Sequence, residues 1–331
     1  MKIAFLTEMN FSGKIPDNHP NMRTEFAWMK ALDATHFPIT KYEDVSGHDL
    51  VCIIWPKGLA NTNSEGISID KIDKNDTFRK ISVLPILETL KKFNKKIAYV
   101  QEGPVWFSND YELDMQFTHH NIITESDVIF CHNEFDKKWY RGLFNNKKII
   151  VLPTLMITKN IENLKWAPTN KVIIGGNFCR WYGGFQSYLI SDMFDNCEKW
   201  TITSHAKRNG EDQIDNLHHA QRMMWNDWMK FLSEFKYAIH LMPTVAAGTF
   251  SLNCAYFGIP CIGNEKVDTQ RICFPELSVD AENLSLAREK ASILSVDIDF
   301  YNECSTKARK NLENFSIENF LKHFNRHMTT I

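Results

Sequence analysis

The feature that most constrains this 331-residue chain is an alternation of short apolar runs with amphipathic stretches, and the alternation occurs twice. Residues 3–7, 37–42, 50–55, 96–101, 127–131 and 148–152 read as strands, and 23–32, 81–93 and 133–144 as helices by the spacing of their apolar positions. Asn21 is the expected N-cap of the first helix, and the polar stretch 57–76 reads as a loop. The pattern pauses over 154–170, which is rich in Lys and Asn, and then restarts. Strands are expected at 171–174, 200–204, 237–241 and 260–263, and helices at 186–194, 224–235 and 251–257, with a terminal helix at 313–328. Strands that alternate with helices form parallel sheets covered on both faces, so the fold class is α/β. A length above 300 residues favours two cores over one. The pause therefore predicts a first domain over 1–153, a linker over 154–170, a second domain over 171–312, and a closing segment over 313–331.

Composition narrows the function classes. Hydrophobic residues are 44% and charged residues 24%, the balance of a water-soluble globular chain. The net charge of -2 lacks the excess of Lys and Arg that a strong general grip on nucleic acid requires. The eight cysteines form no CxxC pair and several lie in apolar runs, which predicts buried, reduced thiols and a cytoplasmic location. No apolar run approaches 18 residues, and the start MKIAFLTEM reads as a first strand rather than a secretion signal, so no membrane insertion is expected.

Four segments have residues suited to ligand chemistry. Gly175, Gly176 and Asn177 follow a strand directly, with Arg180 just beyond; glycines there let a backbone approach a ligand, and a guanidinium pairs well with a diphosphate. The same residues also describe a tight turn with a surface Arg. Gly248, Thr249, Phe250, Ser251 and Asn253 open a helix whose free N–H groups suit a phosphate, and the two hydroxyls add donors. Glu102 follows a central strand and precedes Gly103-Pro104, where a carboxylate can take a proton from a hydroxyl or serve as an ordinary ion-pair partner. Arg23 and Thr24, after the loop that follows the first strand, are candidate sugar or phosphate contacts.

Other candidates are weaker. His119-His120 and His218-His219 are adjacent pairs without the i, i+4 spacing of a helical metal site. Asp297-Ile298-Asp299 has the form of a DxD metal motif but lies far along the chain from the sheet ends. No metal site is expected.

Together these segments resemble the glycosyltransferases of the GT-B fold, in which two Rossmann-like domains with parallel sheets face each other across a cleft. Residues 249–262 resemble the donor-site helix and following strand of the family-4 type, 127–135 the last strand and helix of its N-terminal domain, and 315–319 its closing helix, which crosses back onto that domain. A narrower resemblance is to the phage DNA β-glucosyltransferases, carried by 174–180, by 267–272 and by the position of Glu102. The resemblance implies an acceptor domain over 1–153 and a nucleotide-sugar donor domain over 171–312. It implies a transferase of the hexosyltransferase type with a UDP-sugar as donor and no required cofactor. The acceptor hydroxyl would belong to a hydroxymethylated base in phage DNA, or alternatively to a saccharide or lipid-linked sugar. A GT-B-fold nucleotide-sugar epimerase is the rival from another reaction class.

The sequence departs from the pattern where both relatives carry a Glu on the donor helix, for it has Asn253 there; the earlier family-4 Glu is Val245. The paired acids of retaining enzymes are thus missing, which favours inversion with Glu102 as base. Arg180 and the helix start at 248–251 would then stabilise the departing diphosphate.

Overall fold

The computed structural model describes residues 1–19, 22, 24–55, 83–110, 113–202 and 207–329. The loop expected over 57–76 and the cap expected at Asn21 lie outside the described residues, as does Arg23. Twelve described strands form two six-stranded sheets, parallel at every pairing.

The first sheet is ordered β2-β1-β3-β4-β5-β6, with β1 Ile3–Thr7, β2 Thr35–Pro38, β3 Leu50–Ile53, β4 Lys96–Val100, β5 Val128–Cys131 and β6 Lys148–Val151. Continuous apolar runs are what a parallel sheet needs, because helices bury both of its faces. Every residue of β1, β3 and β5 is accordingly buried. The expected strand over 37–42 is shorter than its apolar pattern suggested. The chain leaves the ladder after Pro38 and winds into a 3-10 helix, Ile39–Gly47, that sends Ile39 and Val45 into the core.

The second sheet is ordered β12-β11-β10-β7-β8-β9. Its strands are β7 Lys171–Ile174, β8 Glu198–Ile202, β9 Leu217–Ala220, β10 Tyr237–His240, β11 Cys261–Asn264 and β12 Ser278–Val279. His218 and His219 belong to β9, an edge strand, and not to a helix. Asp297 is spent as a helix cap, its carboxylate accepting the Phe300 N–H at 2.9 Å. The expected terminal helix breaks at Ser316, into a 3-10 turn Leu312–Phe315 and a helix Ile317–Met328.

The chain divides into two compact units: Met1–Ile15, Trp28–Leu152 and Leu321–Ile331 form the first, and Pro16–Ala27 with Pro153–Phe320 the second. In the first unit, Phe324 packs on Phe130 with ring centroids 6.1 Å apart. There the His323 Nε2–H meets the Val151 carbonyl at 2.8 Å. In the second unit, Lys159 pairs with Asp17 at 2.8 Å and the Asn226 N–H donates to Asn18 Oδ1 at 3.0 Å. Residues 154–170 form no strand or α-helix, and the Trp166 indole N–H donates to the Phe235 carbonyl at 2.9 Å. All eight cysteines are free thiols, seven of them buried. Among the described residues, no helix is long and apolar enough to cross a membrane.

Candidate functional site

In the second sheet the strand order reverses between β7 and β10. From β7 the chain proceeds through β8 and β9 on one side, then returns to β10 and continues through β11 and β12 on the other. Loops leaving neighbouring strands at such a point diverge, and the crevice at the strands' C-terminal ends is where open α/β sheets bind ligands. Gly175 sits there, its N–H donating to the Ile239 carbonyl of β10 at 2.8 Å. A Cβ on Gly175 would lie 2.7 Å from the His240 and Phe250 rings, so the residue must be glycine for those groups to converge. Gly176 accepts the Thr201 hydroxyl at 3.2 Å, and the Asn177 carbonyl accepts the Gly184 N–H at 3.0 Å, which folds the loop back onto its following helix, Gly184–Ser191. Arg180 stands exposed on the turn between them.

The helix Thr249–Phe257 starts beside this loop. Gly248 caps it at φ 73°, a left-handed conformation that glycine adopts without cost. The Gly248 carbonyl accepts the Thr269 hydroxyl at 2.8 Å and the Ala247 carbonyl accepts the Thr154 hydroxyl at 2.6 Å. Gly248 has no side chain to cap the first turn, and N–H groups at such a helix start suit an anion. Thr249 and Phe250 open this turn. Ser251 is turned inward, donating to Gln270 Oε1 at 2.8 Å, and Gln270 Nε2 donates to the Cys261 carbonyl at 2.8 Å. Asn253 is 5% exposed. In the amide orientation that satisfies it, it donates to the Thr249 carbonyl at 3.1 Å and accepts the Trp228 indole N–H at 2.8 Å. Its polar atoms are thus engaged within the unit.

The β10 end adds a residue that sequence reasoning did not single out. His240 closes the apolar run Tyr237-Ala238-Ile239, and burial pushes its imidazole down to about 4, so it is neutral near pH 7. Its Nε2 is buried and has no hydrogen-bond partner among the described residues. A histidine ending an apolar strand, beside a small-residue loop, is the signal that could have marked it.

In the first unit, Glu102 follows β4. Its neighbours are fixed: the Gln101 N–H donates to the Phe130 carbonyl at 2.9 Å, Gln101 Nε2 donates to the Gly103 carbonyl at 2.8 Å, and Gly103 turns the chain at φ 76°. Glu102 lines a hollow with Trp55, Tyr99, Val105 and Phe107; the helices Leu113–Glu125 and Glu134–Leu143 close it with His119, Ile123, Trp139 and Tyr140. Burial lowers His119 to about 4 and raises the Tyr99 phenol to about 12, with the Glu102 charge adding to the latter. Both groups are neutral near pH 7.

Thr24 lies in the second unit, immediately before the helix Glu25–Ala31, at φ 49°, a conformation uncommon for a β-branched residue. Its hydroxyl donates to Glu25 Oε2. The structure thus brings Gly175, Gly176 and Asn177 together with the helix start at Gly248–Phe250 in one unit. Glu102 stands in a separate setting in the other.

No protein-family model matches the chain. No curated protein matches it either. Its fold is similar to that of solved GT-B glycosyltransferases. Anabaena HepE in complex with UDP-glucose matches over 100% of both chains, with a TM-score of 0.63 at 9% identity. Sucrose-phosphate synthase from Thermosynechococcus elongatus matches over 100% of this chain and 98% of its own, with a TM-score of 0.62 at 10% identity. S. aureus TarM, solved with UDP, matches over 83% of this chain at a TM-score of 0.58 and 12% identity, and this chain spans 55% of its length. The fold expected from the sequence, an α/β chain with two parallel Rossmann-like sheets of the GT-B type, is the fold observed.

Proposed function

We propose that the chain is a glycosyltransferase that moves a sugar from a UDP-sugar held by the second unit to an acceptor hydroxyl at Glu102 of the first. The observation that carries this reading is the convergence of the Gly175 loop, His240 and the Gly248-capped helix start at the strand-order reversal of the second sheet. A diphosphate is the ligand such a crevice suits, since backbone N–H groups and a nearby Arg favour concentrated negative charge. HepE, whose fold this chain shares, was solved with UDP-glucose, which supports the donor class.

In this mechanism the acceptor oxygen forms the new bond to the anomeric carbon as the bond from that carbon to the phosphate oxygen breaks. The diphosphate leaves with the bonding electron pair, and Glu102 accepts the hydroxyl proton. Arg180 and the N–H groups of the helix start stabilise the departing charge, so the reaction needs no metal. With neither Asn253 nor Val245 an acid, Glu102 is the carboxylate assigned, and the transfer inverts the anomeric centre.

The acceptor is a saccharide in this reading. Lys91 pairs with Glu125, Lys137 with Glu134 at 3.3 Å, and Lys207 with Asp212, so these three cations already face acids and are not left to a DNA backbone. Calorimetric titration of UDP tests the donor half. Wild type should bind, and Arg180→Ala should weaken binding by about tenfold, the scale of one charge-assisted hydrogen bond. An absence of UDP binding by wild type would remove the reading.

A further inference from the structure

We infer that His240 contacts the diphosphate of the donor and takes up a proton as that anion binds. The inference rests on the UDP-sugar reading and adds to it a proton-linked residue of the second unit.

Position is the first ground. β10 is apolar through Tyr237, Ala238 and Ile239, as a strand covered on both faces must be, yet it closes on an imidazole. That end lies at the reversal of strand order, with β7 on one side of β10 and β11 on the other. The ring stands against Gly175, where a Cβ on that residue would lie, and beside the ring of Phe250 in the first turn of the Gly248-capped helix. The Gly175 loop and the helix start are the two elements that suit a diphosphate, and they meet at this side chain.

Hydrogen bonding is the second ground. Nε2 of His240 is buried without a protein partner. A buried polar atom left unpaired is destabilising, and an apolar residue would continue the strand without that cost. The residue as a whole keeps partial solvent contact, so the ring is open to a ligand at the strand ends.

Charge is the third ground. Burial alone lowers the basicity of the imidazole, with no charged side chain among the described residues contributing. The packed elements offer none: Gly263, in register on β11, has no side chain, Gly175 has none either, and the helix turn carries Phe250 with Thr249 and Ser251. Arg180 stands exposed on the turn beyond the loop. In the free protein the ring is therefore neutral near pH 7. Phosphate groups at hydrogen-bond distance would stabilise the charged form and carry the imidazole from about 4 to about 6. The proton comes from solvent, and both ring nitrogens are then donors.

The test is calorimetric titration of the full-length protein with UDP-glucose, whose phosphates do not titrate near neutral pH, whereas the terminal phosphate of UDP does. Titrations at about pH 6 in buffers of different ionisation enthalpy give the protons taken up per ligand. Wild type should take up about half a proton, and its affinity should rise about fourfold from about pH 7 to about pH 5.5. His240→Gln and His240→Leu should take up less than about a tenth of a proton. His240→Leu should also bind about tenfold more weakly, the scale of a lost charge-assisted hydrogen bond, while melting no lower than wild type because an unpaired polar atom is gone. A histidine serving structure alone would change the melting temperature and leave the proton count unaltered. The inference is overturned if wild type binds UDP-glucose without proton uptake, or if either variant takes up as much as wild type. It is also overturned if His240→Leu binds as tightly as wild type or melts below it. Absence of UDP-glucose binding by wild type would remove the donor reading and this inference with it.

Discussion

The His240 imidazole meets the Phe250 ring at a 68° interplanar angle with centroids 5.1 Å apart, over the face of Gly175 that a side chain would occupy. Because neither ring can retreat without moving a strand end or a helix start, Gly175→Ala should displace both. Overpacking of this kind costs about 1–3 kcal/mol. A lowered thermal midpoint together with at least a tenfold loss of UDP affinity is expected, read by scanning calorimetry and titration. Unchanged UDP affinity would place the ligand elsewhere.

Gln270 joins two elements behind the same helix start. It is 1% exposed, and it accepts from Ser251 while donating to the Cys261 carbonyl. Gln270→Ala would strand both partners in the interior, each at about 1–3 kcal/mol. Ser251→Ala removes only one side of one bond and should cost less. Urea unfolding of the two single variants and the double variant checks this: the double variant should be more stable than the sum of the singles implies, because the stranded hydroxyl is gone.

Stability should fall as the pH falls from about 6.5 towards 4. The His36 ring is 0% exposed, with Nδ1 2.8 Å from the Phe11 carbonyl and Nε2 2.7 Å from the Thr7 hydroxyl. The carbonyl can only accept, so Nδ1 carries the hydrogen and Nε2 accepts from Thr7. Burial lowers this histidine from 6.5 to about 4. Between those values the unfolded chain binds a proton that the folded chain does not. The loss approaches 1.4 kcal/mol per pH unit for such a group, an order-of-magnitude figure. His119 and His240 act with the same sign. His36→Gln should flatten the dependence of stability on pH over that window by about one such increment.

The sheets were legible from sequence because parallel strands buried on both faces must be apolar throughout, as Leu50-Val51-Cys52-Ile53 and Val128-Ile129-Phe130-Cys131 are. The edge strand β9 escaped notice because Leu217-His218-His219-Ala220 buries only its ends. The helix Leu113–Glu125 has apolar positions too scattered to present one stripe. Glycines marked the loops at the strand-order reversal of the second sheet, since close packing against Gly175 and the left-handed cap at Gly248 demand that residue. The surroundings of Glu102 were not legible: Trp55, His119 and Trp139 come from three separate elements, and only the fold brings them to one hollow.

Glu102 carries the central role in the proposed transfer. If it removes the acceptor's proton, Glu102→Gln should keep wild-type affinity for UDP and lower sugar transfer to a neutral glycoside by about 100- to 10,000-fold, the range of a lost general base. The measurement is steady-state transfer from a UDP-sugar by wild type and Glu102→Gln, with UDP binding measured on the same preparations. Transfer by the variant within a few-fold of wild type would contradict the assignment.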